Sequence, residues 1–176
     1  MDQIYTHPKR KTKVVFVQLG SPSEPTTKAL RKYLRKFLGD PRVVDINPWL
    51  WKIILNFFVL PFRPKKSAKL YARIWDGKSF PLITNTRDFT NNVREELKKI
   101  DPNGYVEVNH AFLLSPPYVN EVYDSWEDDL KKGIGATKLL VIPMFPQYSE
   151  STIASGIDAL AKELSKRVKI PTFEVI

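Results

Sequence analysis

The sequence predicts an α/β fold: a doubly wound, parallel, four-stranded sheet flanked by helices. Three observations carry that expectation. Apolar runs at residues 14–19, 105–114, 139–142 and 172–176 read as strands, the first and third with no polar face, as burial on both sides requires. Between them lie stretches whose apolar residues recur at helical spacing, and that alternation argues for parallel strands joined by right-handed crossovers. The strands end in turn or polar loops, Gly20-Ser21-Pro22, Ser115-Pro116-Pro117 and residues 146–152, which a parallel sheet gathers on one edge where ligands bind.

The first strand (Val14, Val15, Phe16, Val17, Leu19) stops at Gly20. Thr26 or Thr27 then caps a helix with Leu30, Tyr33, Leu34, Phe37 and Leu38 on one face and Gly39 past its end. Lys28, Arg31, Lys32, Arg35 and Lys36 occupy the other face, which reads as a solvated surface in preference to a polyanion site. Residues 48–62 are nearly all apolar between Pro48 and Pro61, yet far short of the ~20 residues that span a bilayer. Two readings stand: a helix buried in a core or interface, or an apolar lip that enters lipid or covers a flat apolar ligand. Arg63, Lys65 and Lys66 follow it directly, as suits a headgroup boundary.

A short helix is expected over residues 67–75, broken by Asp76-Gly77-Lys78-Ser79. That Gly-Lys-Ser triplet is not a phosphate loop, because the first glycine and the preceding apolar strand are missing. Thr84 or Thr86 is expected to start a helix with Phe89, Val93, Leu97 and Ile100 on one stripe, ended by Asn103-Gly104. After the second strand, Val119, Val122, Tyr123, Trp126 and Leu130 mark another helix. The third strand runs straight into Gln147, Tyr148, Ser149, Glu150, Ser151 and Thr152, a polar loop that leads into a helix carrying Ile153, Ile157, Leu160 and Leu164. That junction is the first place to look for function. The loop expected after the fourth strand lies past Ile176, so the sequence reads as part of a longer chain or as one half of a two-domain protein.

Composition narrows the chemistry. The 176 residues suit one domain, and a net charge of +9 favours an anionic partner. With no cysteine there is no disulfide, thiol nucleophile or cysteine-held metal. Residues 1–12 read as a flexible arm without a secretion signal, so a cytoplasmic location is the default. His7 lies in that arm. His110 lies within a strand, where a packed, hydrogen-bonded role is the usual one. No residues stand at metal-ligand spacing and no nucleophile–base pair is visible, so the chain can bind something flat, apolar and partly anionic without showing catalytic machinery.

Several motifs together resemble the ferrochelatases, which insert ferrous iron into a porphyrin to make haem. They are Val17-Gln18-Leu19-Gly20-Ser21-Pro22 with Pro25-Thr26, and Phe37-Leu38-Gly39-Asp40-Pro41-Arg42-Val43-Val44. Leu60-Pro61-Phe62-Arg63-Pro64-Lys65-Lys66-Ser67-Ala68, Leu70-Tyr71, Ile74-Trp75, Pro81-Leu82 and residues 143–152 continue the match. The resemblance implies that residues 13–176 form the amino-terminal domain of two similar domains facing a porphyrin cleft. It makes residues 48–62 a lip, with Trp49, Leu50, Trp51, Ile54, Phe57 and Phe58 at the cleft or the membrane. It implies porphyrin contacts at Leu19, Arg63, Tyr71, Tyr148, Ser149 and Ser151, with Arg63 paired to a propionate. Porphyrin, ferrous iron and a carboxy-terminal half of the same protein are the implied partners, on the inner face of a membrane and without nucleic acid.

The departures bear on function. The family's catalytic histidine, in a Ser-x-His-Gly-Ile-Pro type motif, and its glutamate partner would fall after Ile176, so no catalytic residue is expected within the chain and the segment alone is expected to be inactive. The family's Met-Arg-Tyr-Gly-Asn-Pro is here His110-Ala111-Phe112-Leu113-Leu114-Ser115-Pro116, without the arginine, and Gly-Ser-Pro appears as Ser79-Phe80-Pro81. Glu150 stands where some members carry a cluster-ligating cysteine, so no iron–sulfur cluster and no resident cofactor is expected. A non-catalytic tetrapyrrole carrier and a basic membrane-surface domain remain as alternatives.

Overall fold

Unbroken apolar runs become strands with a neighbour on each side and helices on both faces. A computed structural model describes residues 11–133 and 136–176. Its sheet has the order β2-β1-β3-β4, with every neighbouring pair parallel. The strands are β1 Thr12–Gln18, β2 Val106–Phe112, β3 Lys138–Pro143 and β4 Thr172–Val175. Residues 1–10, including His7, lie outside the described residues, and β1 takes in the last residue assigned to the arm.

Alternate residues of each strand serve opposite faces. Val15, Val17, Leu139 and Val141 pack with Tyr123 and Trp126 of α5 (Val119–Lys131) and with Leu160 and Leu164 of α6 (Ser155–Leu164). Trp126 Nε1 donates to the Ala136 carbonyl at 2.7 Å, so the ring satisfies its one polar atom inside that core. On the opposite face Val14, Phe16 and Val108 meet Val93 and Leu97 of α4 (Pro81–Ile100). Helices therefore cover both faces, as the doubly wound reading expects.

Thr26 caps α1 (Thr27–Leu38), accepting from the Ala29 N–H at 3.2 Å. Gly39 follows because a Cβ there would lie 2.6 Å from the Arg35 carbonyl oxygen. α4 starts earlier than expected, with Pro81 in its first turn and neither threonine as its cap. Thr86 lies inside and bonds back to the Leu82 carbonyl, as Thr90 does to that of Thr86, each at 2.7 Å.

The largest difference from the sequence reading concerns residues 48–75. Pro61 does not end the apolar segment. α2 (Pro48–Ile54) passes through a wide turn, Leu55–Val59, directly into α3 (Leu60–Tyr71), and a tight turn, Ala72–Ile74, follows. Proline removes a backbone donor, and the widened turn absorbs the mismatch by sending the Leu60 N–H to the Leu55 carbonyl. Pro64 likewise leaves the Leu60 carbonyl without a helical partner, and Arg31 Nε of α1 donates to it at 3.2 Å. The helix expected at 67–75 is thus largely the tail of α3. Asp76-Gly77-Lys78-Ser79 is a turn, with Gly77 at φ 94° and the Asp76 carboxylate accepting from the Lys78 and Ser79 N–H groups at 2.7 and 2.6 Å. Those two bonds also hold the exposed Asp76 carboxyl below the usual carboxylate range.

Candidate functional site

Parallel pairing places the loops after β1, β2 and β3 on one edge, and backbone hydrogen bonds join them. Leu114 N–H donates to the Leu19 carbonyl at 3.0 Å, Met144 N–H to that of Val17 at 2.8 Å, and Gln18 Nε2 to that of Met144 at 2.8 Å. Gly20, at φ 93°, sits where a Cβ would come within 2.3 Å of Ser115 Oγ, so only glycine lets these loops meet.

Beside this edge opens a cleft of about 330 Å³. Lys32, Tyr33 and Lys36 of α1 line one side; Trp75, Lys78, Ser79 and Phe80 line another; Leu114, Ser115 and Tyr118 complete it. Stacked aromatics set its shape. Phe80 meets Tyr71 edge-on at 5.4 Å and Trp75 at 4.6 Å, and Tyr71 meets Tyr33 at 6.2 Å. Tyr33 donates to the Gly20 carbonyl at 3.3 Å, which ties α1 to the edge of the sheet. Burial first, then the neighbouring Tyr71, pushes the Tyr33 phenol above its usual range, so it stays a donor. Lys36 Nζ donates to Tyr118 Oη at 2.9 Å and lies 4.3 Å from that ring's centre.

The residues expected at the site do not all converge on this cleft. Tyr71 stands in the aromatic stack behind it, and half-buried Leu19 belongs to the loop edge bonded to Leu114. Arg63 is exposed on α3 without a hydrogen bond or ion pair among the described residues. Tyr148 is 69% exposed, and Ser149 Oγ and Ser151 Oγ share a hydrogen bond at 2.9 Å. That loop leads into a wide turn, Glu150–Ala154, and α6; Arg42, after α1, pairs with Asp158 of α6 through two hydrogen bonds. Neither Tyr148 nor the serine pair lines the cleft.

Sequence reasoning missed Lys36, Trp75, Phe80 and Tyr118 as cleft residues. The basic face of α1 carried a signal and was assigned to bulk solvent, and the departure at Ser79-Phe80-Pro81 was noted without placing Phe80 at the site.

The lip divides by face. Trp49, Leu50, Ile53, Phe57, Phe58 and Phe62 are exposed, whereas Leu55 and Leu60 are buried against Leu38. The core reading therefore holds for the packed side of the helix, and the apolar side left exposed is the part that the lip reading concerns. Trp51 belongs to the packed side: it is half-buried and donates from Nε1 to the Leu38 carbonyl at 2.6 Å. Ile54 is half-buried too, so neither shares the exposure of the other lip residues. No helix among the described residues is long and apolar enough to cross a membrane.

His110 lies in a separate groove at the edge of β2 with Lys13, Arg94, Asn109 and Glu121. It is packed, and its buried Nδ1 has no hydrogen-bond partner among the described residues. Burial first, then Arg94 and Arg87 of α4, pushes its pKa below the ordinary 6.5. Below pH 6.5 the unfolded chain then holds more protons than the folded one. Stability should therefore fall as pH drops through that value, the contribution being fully present above it. Between about pH 8 and about pH 5 the urea midpoint should fall more steeply for the chain than for His110→Leu; parallel curves would refute this.

Comparison with known proteins agrees with the motifs. The ferrochelatase family model matches residues 11–176. The chain belongs to the ferrochelatase family. It is 42% identical over 163 residues to a ferrochelatase of Idiomarina loihiensis, covering 93% of this chain and 43% of that protein. It is 39% identical to a ferrochelatase of Actinobacillus pleuropneumoniae serotype 5b, covering 93% and 49%. It is 38% identical to a coproporphyrin III ferrochelatase of Streptococcus mutans, covering 96% and 50%. The chain spans about half the length of these ferrochelatases. In residues 110–116, where the resemblance implies an arginine–tyrosine pair, the chain has no arginine in any register; Phe112 of this stretch is buried and Leu114 lines the cleft.

Proposed function

We propose that this chain supplies one wall and the lip of the porphyrin-binding cleft of a ferrochelatase, which inserts ferrous iron into the porphyrin. The carrying observation is the cleft at the carboxyl edge of the sheet, walled by Tyr33, Trp75 and Phe80 and backed by Tyr71. Rings of this kind suit the face or edge of a flat aromatic ligand. Arg63, unpaired on α3, is the candidate partner for a propionate, and Leu19, Tyr148, Ser149 and Ser151 are candidate contacts on the rest of the edge.

In this reading the chain's own residues bind and orient the porphyrin, while the metal-inserting histidine and glutamate belong to a second half of the protein. The exposed lip is a peripheral contact on the inner face of a membrane, and no resident cofactor is required. The missing arginine in residues 110–116 favours one second reading, a tetrapyrrole carrier that binds without metallating.

A porphyrin titration followed by Soret absorbance and tryptophan quenching tests binding. Saturable binding, weakened roughly three- to tenfold by Arg63→Ala, is expected. Absence of saturable binding would overturn the proposal. The saturated sample, given ferrous iron without oxygen, should form no haem; haem formation would show that metal insertion resides in these residues.

A further inference from the structure

We propose that the groove at the edge of β2 binds a small zwitterion of the α-amino-acid class. The groove, of about 200 Å³, shares no lining residue with the cleft walled by Phe80, and it lies where α4 and α5 approach β2 from opposite faces of the sheet. Two of its side chains break the charge pairing of their helices. On α4, Arg87, Lys98 and Lys99 each meet a carboxylate, and Arg94 meets none among the described residues. On α5, Asp124, Glu127, Asp128 and Asp129 each meet a cation, and Glu121 meets none among the described residues. These two unmatched charges, of opposite sign, line one groove without pairing with each other. A molecule that carries a carboxylate and an ammonium group a few bonds apart is their complement.

The rest of the groove favours the same class. Arg94 donates from Nε to the Val108 carbonyl at 2.7 Å and from its two terminal nitrogens to Asn109 Oδ1 and Asn91 Oδ1 at 3.1 and 3.0 Å. These acceptors are neutral and fix the guanidinium, while one N–H on each terminal nitrogen remains for a carboxylate. The other basic groups do not compete for it. Lys13 is buried between Glu107 and Asp129, at 3.3 and 3.4 Å, and His110 stays uncharged at neutral pH because burial, then Arg94 and Arg87, lower its pKa. Glu121 stands one turn of α5 before Ser125, so a carboxylate and a hydroxyl line the groove together as partners for an ammonium group. Pro117 and Val122 supply apolar contact, and the volume, below the roughly 300–1,000 Å³ of drug-sized pockets, suits a ligand of few heavy atoms. A simple anion would meet the like charge of Glu121, and a simple cation that of Arg94.

The test is an amide chemical-shift titration of the isotope-labelled intact chain at neutral pH with L-alanine, propionate and ethylamine. The last two are alanine without its ammonium group and alanine without its carboxylate. L-alanine should shift the Asn109, His110 and Glu121 amides saturably, with a dissociation constant of about 1–10 mM for so few atoms. Propionate and ethylamine should each bind roughly fivefold more weakly. Glu121→Gln, an exposed substitution, should lower the affinity for alanine roughly two- to fivefold and leave that for propionate equal or higher. Arg94→Lys keeps the charge, loses the planar fork and should weaken alanine and propionate together. No saturable shift with L-alanine at these amides, or propionate binding as tightly as alanine, overturns the inference. An unchanged affinity for alanine in Glu121→Gln also overturns it, and assigns Glu121 to the first turn of α5 alone.

Discussion

Replacing Trp49, Phe57 and Phe58 together by serine is expected to weaken binding to anionic lipid vesicles at least a hundredfold, with the urea midpoint unchanged. These side chains are 78%, 71% and 66% exposed, so the fold derives little from them. At ~25 cal/mol per Å² of apolar surface, even partial insertion of each ring contributes roughly 1–2 kcal/mol, and three rings exceed the ~2.7 kcal/mol that a hundredfold change represents. Lys52, Arg63, Lys65 and Lys66 flank the same helix, and near an anionic leaflet each adds about 1 kcal/mol, so binding should also weaken with salt. Trp51→Ala is the contrasting variant. Its indole is half-buried against the cluster of Leu38, Leu55 and Leu60 and donates to the Leu38 carbonyl, so its loss should lower stability by about 2–4 kcal/mol. Vesicle co-sedimentation and urea unfolding of the two proteins decide the matter. Unaltered sedimentation of the triple variant would sink the membrane reading of the lip.

The contrast between Trp49 and Trp51 shows what the sequence could and could not disclose. The apolar density of residues 48–62 was plain, but which face met α1 depended on a helix that runs through two prolines. Local rules end that helix at Pro61. It continues because Arg31, 29 positions from Leu60, occupies the carbonyl that Pro64 leaves unpaired, and no local pattern reports such a partner. The strands were legible for the opposite reason: Val14 to Val17 are apolar on both sides, which only a central strand tolerates. Once the strands were parallel, the gathering of Gly20, Ser115 and Pro146 on one edge followed from topology. The cleft did not follow, because the turn carrying Trp75, Lys78 and Phe80 meets Lys32 and Lys36 only through tertiary packing. Lys36 on a helix surface looks like any solvated lysine until Tyr118, 82 positions away, arrives beside it.

Phe80→Ala should cause the largest loss of stability at the candidate site, about 3–5 kcal/mol, and should remove porphyrin binding with it. Phe80 is 1% exposed, though it stands in a turn between helices where such burial is unexpected. Its ring fills the corner between Tyr71, at the end of α3, and Trp75, and its carbonyl accepts from the Ile83 and Thr84 N–H groups at 3.0 and 3.2 Å as α4 begins. One residue therefore joins the lip helix, the lysine-bearing turn and the helix that covers the second face of the sheet. Truncation opens a cavity under both remaining rings and frees Trp75 to leave the cleft wall. Phe80→Leu separates volume from ring geometry: it keeps most of the apolar contact, should lose about 1 kcal/mol, and should still bind porphyrin less tightly because the edge-on stack is gone. Urea midpoints with near-ultraviolet circular dichroism give the stability order, and the porphyrin titration gives the functional one. If Phe80→Ala unfolds at the same urea concentration as the parent chain, the aromatic stack does not hold this wall in place. If Phe80→Leu binds porphyrin as tightly as phenylalanine does, the wall works by filling space, and the stacking geometry makes no contribution to recognition.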